Sequence, residues 1–273
     1  MAGLLRDRTI VISGGSRGIG LAMLLACARE GANAVVMGKT DTPDPRLPGT
    51  VHTAVAELEA VGGQAVAVVG DVRKDEDVAR AVETAIERFG GVDIVINNAS
   101  ALVRVGTEET TLKQFDLLQD VNVRGTFALT RACLPYLRKS DHAHILTIAP
   151  PLNLAPHWLS PFPAYTQSKY AMTLLTLAWA AEFADSDIAA NCLWPQTRIA
   201  TAAVVNLLGG EEAAAQSRSP EIMGDAALAI LARPPREVSG QILIDEAVLR
   251  EAGVTDFSKY GGGDNPTPDL YID

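Results

Sequence analysis

The sequence predicts an α/β fold, a doubly wound parallel sheet of seven strands with helices on both faces. Two observations carry that expectation. Short β-branched and apolar runs alternate with longer stretches of helical period along the 273 residues, as strands joined by crossover helices do. A glycine-rich turn, SGGSRGIG over 13–20, follows the first such run and opens the first helical stretch. Sheets of this kind bind nucleotides at that turn.

The elements follow in order. TIVIS (9–13) reads as the first strand, 18–30 as a helix ended by Gly31, and 33–37 as the second strand. Val51, Val55, Leu58 and Val61 recur at helical spacing, and 65–69 is the third strand. Val78, Val82, Ile86 and Phe89 mark the next helix, before DIVI (93–96) as the fourth strand. One helix is predicted around 112–138, then a strand at 143–148, a helix at 164–184 and a strand at 188–193. A helix near 219–232 and a strand at 240–245 complete the set.

Two proline-rich segments interrupt this alternation. TDTPDPRLPG (40–49) and APPLNLAPHWLSPFP (149–163) both read as non-helical loops. From Ala247 an extension runs to GGGDNPTPDLYID, to pack on a neighbouring subunit or to fray. No second domain or internal repeat is visible, so 1–273 reads as a single domain.

Bulk properties exclude several functions. Hydrophobic residues make up 48% and charged residues 21%, a globular balance. A net charge of −10 repels phosphate backbones and argues against nucleic-acid partners. Cys27, Cys133 and Cys192 form neither a CxxC pair nor an even set, which suits a reducing, cytoplasmic setting and not a disulfide framework. His142 and His144 lack a third ligand nearby, so no metal is expected. The N-terminus has no apolar signal core, and no membrane span is predicted.

In the turn, Gly14, Gly18 and Gly20 keep side chains clear of an approaching pyrophosphate. The helix start then offers free N–H groups and a partial positive charge, with Ser16, Arg17 and Ile19 in the same turn. With this spacing the chain resembles the short-chain dehydrogenase/reductase superfamily, which has a Rossmann fold. Further matches follow over nearly the whole length. Asp71 and Val72 end the third strand, where the family's Asp contacts adenine. NNAS (97–100), with Asn98 and Ala99, resembles its NNAG motif. Asn122 in VNVRG matches its structural and catalytic Asn, and YTQSK (165–169) its YxxxK. Pro195 and Gln196 stand where the family usually has Pro-Gly. Lys39, IAPPLNLAPHW and LWPQTRIATA are similar to the hydroxysteroid-dehydrogenase-like branch, here without the sterol-carrier domain some members carry.

The resemblance implies a nicotinamide cofactor. The end of the second strand reads VMGK, without the acid that pairs with the ribose of NAD. Lys39 and Arg17 instead suit a 2′-phosphate, so NADP(H) is expected over NAD. The alternative is that both cations are solvated.

Tyr165 and Lys169 are four residues apart, on one face of a helix. A nearby ammonium would lower the phenol, which otherwise ionises near about 10. Tyr165 could then exchange a proton with a carbonyl or alcohol substrate. By the resemblance, Lys169 also holds the nicotinamide ribose and Asn122 a proton-relaying water.

The family's serine is missing. By usual spacing it falls on Leu152, or with a loop insertion on Ala149 or Pro150, and no residue over 149–152 can donate from its side chain. Thr147, Asn153, His157 and Ser160 are the candidate replacements, Asn153 being chemically best suited. Trp158, Leu159, Phe162 and Trp194 lie after the fifth and sixth strands and would line an apolar substrate pocket or pack a loop or interface. Residues 197–208 resemble the family's substrate lid, in which Arg198 is either an anion contact or solvated. The family also implies a homodimer or homotetramer.

Overall fold

The computed structural model describes residues 3–44, 47, 49–202, 204, 210–263 and 265–273. Its seven strands are β1 (Thr9–Ser13), β2 (Asn33–Gly38), β3 (Gln64–Val69), β4 (Ile94–Asn97), β5 (His144–Ile148), β6 (Ala189–Trp194) and β7 (Ile242–Ile244). They form one parallel sheet in the order β3-β2-β1-β4-β5-β6-β7. The order reverses between β1 and β4, where a crevice opens at the carboxyl ends of the strands.

Apolar runs of β-branched residues form these strands because both faces of the sheet are covered. Ile10, Ile12, Val36, Ile94, Ile96 and Leu146 meet α1 (Gly18–Arg29), α2 (Val51–Ala60) and the helix Glu221–Leu231. Their neighbours Val11, Val35, Val95 and Ile145 meet α3 (Asp75–Phe89) and α5 (Gly125–Leu137). The alternation is the strand's period of two, and it sorts the chain into three layers. A Cβ on Gly224 would lie 2.6 Å from the Ala22 carbonyl oxygen, so Gly224 sets the close approach of its helix to α1.

Three segments differ from the sequence expectations. The helix foreseen over 112–138 is α4 (Leu112–Leu118), a π-helical turn (Gln119–Arg124) and α5. The wider turn turns Asn122 inward, and such turns often mark functional sites. The segment 149–163 is not wholly loop. Pro156–Leu159 makes a short helix, α6, and Pro163 starts α7 (Pro163–Glu182), because proline is preset for the first helical position. The extension after the helix Asp245–Glu251 neither frays over 265–273 nor needs a neighbour. It folds back onto the loops after β5 and β6 of the same chain.

Candidate active site

The cofactor side is built at the switch point. Ser13 pairs with Met37 on β2 and Asn97 on β4, so the turn after β1 lies between two strand ends. Gly14 (φ 74°) and Gly18 (φ 53°) hold left-handed conformations. A Cβ on Gly20 would meet the Gly14 carbonyl oxygen at 2.4 Å. Among the described residues nothing bonds the amides of Gly18, Ile19 or Gly20, and Arg17 gives α1 no side-chain cap. Free amides at a helix start suit a phosphate. Ser16 is buried beside this turn, and Ile19 packs on the core.

Asn98 proves to be a brace. Its Nδ2 donates to the carbonyls of Ser13 (3.2 Å) and Gly14 (2.7 Å), and its backbone N–H and that of Ala99 donate to Ser13 Oγ. At the edge of the crevice, Arg17 Nη2 donates to Thr40 Oγ1 (2.6 Å) and to the Gly49 carbonyl (2.8 Å). Lys39, mostly exposed, lies 3.5 Å from Asp71. Hydrogen bonding from Arg73 holds the Asp71 carboxyl down at about 2, so it stays charged. Val72 is buried, and a Cβ on Gly125 would press on it at 2.8 Å.

On the catalytic side, α7 carries Tyr165 and Lys169 one turn apart, both almost fully buried. Lys169 Nζ donates to the Ile148 carbonyl at the end of β5 (2.6 Å) and lies 5.2 Å from the centre of the Trp194 ring. Burial lowers the Lys169 ammonium to about 7. The expected lowering of the Tyr165 phenol is absent: burial pushes it up, Tyr271 and Asp269 push the same way, and Arg104 opposes them. Lys169 is aimed at a backbone carbonyl and supplies no counter-charge to the phenol.

Asn122 is also a brace. Its Oδ1 accepts from the Ala101 N–H (2.7 Å), and its Nδ2 donates to the Ala101 carbonyl (3.1 Å) and Ser168 Oγ (2.9 Å). Both amide hydrogens are therefore used on protein, and only Oδ1 keeps capacity for a water.

The gap left by the serine is real in space. Ala149 is fully buried against Met172 and Cys192. Of the four candidate replacements, Thr147 is buried and bonded to Thr176 Oγ1 (2.8 Å), as its alternation in β5 led one to expect. Asn153, contrary to its candidacy, gives its Nδ2 to Asp273 (2.7 Å). His157 also faces Asp273, at 3.4 Å, and Ser160 is exposed.

The substrate side holds what the sequence reading missed. Tyr271 is 1% exposed, with its ring 5.7 Å from Trp158, 5.2 Å from Tyr170 and 6.2 Å from Trp194. Its hydroxyl lies 3.0 Å from Thr166 Oγ1. Trp194 Nε1 donates to the Leu270 carbonyl, and Trp158 Nε1 to Asp273 (both 2.9 Å). Asn153, Trp158 and Trp194 are thus together, but in contact with the chain's own 270–273 segment. The only signal in the sequence was Leu270 and Tyr271 among polar residues, with no period to assign them to an element. The lid-like segment 197–208 lies partly outside the described residues.

A glycine turn at the switch point of a parallel sheet, with a buried Tyr–Lys pair beside it, defines a nicotinamide-dependent oxidoreductase. Comparison with known proteins gives the family. The model of the short chain dehydrogenase family matches residues 8–208. "Hydroxysteroid dehydrogenase-like protein 2" of Danio rerio is 47% identical and that of Homo sapiens 46%, each over 99% of this chain. The chain spans 65% of the length of those relatives. A solved short chain dehydrogenase from Mycobacterium thermoresistibile is 49% identical, with a TM-score of 0.93 over 98% of this chain and 96% of its own. A solved chain from Xanthomonas campestris is 46% identical, with a TM-score of 0.94 over 98% and 99%. The chain belongs to the short-chain dehydrogenase family, in its hydroxysteroid-dehydrogenase-like branch.

Proposed function

We propose that this chain is an NADP(H)-dependent oxidoreductase that interconverts a carbonyl and an alcohol on an apolar substrate of lipid-, acyl- or steroid-like type. The observation that carries the reading is the Tyr165–Lys169 pair on α7, with Lys169 tied to the end of β5 beside the cofactor crevice.

The dinucleotide would rest on the turn 14–20, with its adenosine beside Asp71 and Val72. Arg17 and Lys39 stand at the end of β2, where a 2′-phosphate would project, and this favours NADP(H) over NAD. A bound nicotinamide gives or takes the hydride. The chain's own residues handle the proton. In reduction, Tyr165 gives its phenolic proton to the carbonyl oxygen, and Lys169 and water restore it. Lys169 is half charged near pH 7, so it can serve the ribose as a donor and the tyrosine as a proton source. The buried phenol needs a counter-charge before it ionises, and a positively charged oxidised nicotinamide beside it would supply one.

One observation favours a second reading, an NADP(H)-binding protein with little turnover. No side chain over 149–152 polarises the substrate oxygen, and losing such a donor typically lowers turnover about 100- to 1000-fold. Tyr165→Phe separates the two. NADPH consumption on a reactive carbonyl should fall about 100-fold or more while NADPH binding persists. No consumption by the parent chain on any carbonyl would select the second reading.

The rest of the proposal is organisational. Residues 1–273 act as one NADP-binding domain, and the part beyond about 247 completes the substrate side. Three buried free thiols suit a reducing, cytoplasmic setting. Exposed Leu112, Phe115, Phe127 and Leu174 on α4, α5 and α7 suit a homodimer or homotetramer. No described helix is long and apolar enough to cross a membrane.

A further inference from the structure

The segment 267–271 is laid along the loop after β6 in a defined register. Arg198 N–H donates to the Thr267 carbonyl (2.9 Å), Asp269 N–H to the Gln196 carbonyl (3.1 Å) and Trp194 Nε1 to the Leu270 carbonyl (2.9 Å). Tyr271 then anchors among three aromatic rings beside α7. This register puts the Asp269 carboxylate, well buried, within electrostatic reach of Arg104, Arg198 and Lys169, and of the Tyr165 phenol. It closes no ion pair within 4 Å with any of those cations. Arg104 lies over the Phe162 ring (5.0 Å), and neither its guanidinium nor that of Arg198 makes a hydrogen bond among the described residues. Two half-buried arginines thus converge on the catalytic tyrosine without a direct partner, and the only acid facing them comes from the 267–271 segment.

Resting on the oxidoreductase reading above, we propose that Arg104 and Arg198 form an anion-recognition pair, so that the substrate is a carbonyl compound with a hydrocarbon body and a carboxylate, and that Asp269 occupies the place of that carboxylate until substrate arrives. The guanidinium is the side chain best matched to a carboxylate, since its planar fork gives two parallel hydrogen bonds. Asp269 keeps the two cations from repelling each other when no substrate is bound. Burial raises its carboxyl to about 6 even with three cations in reach, so it holds its charge weakly. The aromatic rings beyond it take the hydrocarbon body. A neutral ketone would leave both arginines facing Asp269 and gain nothing from them.

The test reads binding, so its failure is distinct from failure of the oxidoreductase reading. The intact protein is titrated with octanoate and with methyl octanoate, following the fluorescence of Trp158 and Trp194 beside the segment. Octanoate should bind about tenfold or more tighter than the ester, as charge-assisted hydrogen bonds allow. Arg104→Gln and Arg198→Gln should each erase most of that preference and leave ester affinity unchanged. Asp269→Asn should strengthen octanoate binding, a gain that a misfolded variant cannot imitate. Equal binding of acid and ester, binding of neither, a preference that survives both arginine variants, or weaker octanoate binding by Asp269→Asn would each overturn the proposal. If octanoate behaves as stated but NADPH is never consumed on 3-oxooctanoate, the anion pair stands and the oxidoreductase reading fails.

Discussion

Single side chains decide how much chemistry this site performs. Lys39 is the residue whose role depends most on the ligand. It neighbours Asp71, which Arg73 already neutralises. A 2′-phosphate would therefore compete for Lys39 with a carboxylate that has another cation. Lys39→Ala should weaken NADPH binding about tenfold or more and NADH binding little, since a charge-assisted hydrogen bond is worth about 1.5–3 kcal/mol. Equal losses in two calorimetric titrations would remove Lys39 from phosphate recognition. Ala149 raises the opposite question, whether a missing group limits the rate. It lies at the end of β5, one residue past the carbonyl that holds Lys169. Ala149→Ser should raise turnover, with a ceiling of about 100- to 1000-fold. No gain in steady-state rate would mean that the hydroxyl, packed towards Met172 and Cys192, is aimed away from the substrate.

Helices and loops place these side chains, and two of their features are testable through stability. Gly224→Ala would normally gain up to about 1 kcal/mol in helix propensity. Here the new Cβ would stand 2.6 Å from a backbone oxygen of α1, which cannot yield as a flexible side chain would. Overpacking costs about 1–3 kcal/mol, so the clash wins and urea unfolding should show a net loss. Asp245 begins the helix Asp245–Glu251, fully buried. Its Oδ1 accepts from the Gln196 and Glu246 N–H groups, while Oδ2 has no partner. Burial raises this carboxyl from 3.8 to about 7. For an acid raised in the folded state, the stabilisation is complete below the unfolded value and is lost as pH climbs through the folded one. Asp245→Asn cannot ionise and keeps the Oδ1 acceptor. The fall in melting temperature between pH 5 and pH 8 should therefore be smaller in the variant than in the parent, and identical falls would contradict the assignment.

Taken as one molecule, the protein shows which levels of structure its sequence makes legible. The seven strands were readable because β-branched runs buried on both faces leave an unmistakable pattern, and the glycine turn because its backbone conformations exclude side chains. Tyr165, Lys169 and Asn122 were readable as a set through spacing. Their mutual electrostatics were not, because burial depends on what covers α7. That cover is the 265–273 segment, whose contacts span more than a hundred residues of sequence and follow no period. It changes Asn153, Trp158 and Trp194 from open pocket residues into partners of the chain's own end. The central claim is that these parts add up to an NADP(H)-dependent proton and hydride transfer centred on Tyr165. The measurement that tests it most directly is titration with NADPH and NADH, followed by cofactor consumption across aldehydes, ketones and oxo acids, for the parent chain and Tyr165→Phe in parallel. Tighter binding of NADPH than NADH, with consumption that collapses in Tyr165→Phe while NADPH still binds, is the result this account requires. Consumption that survives Tyr165→Phe, or NADPH binding with no consumption on any carbonyl, would contradict it.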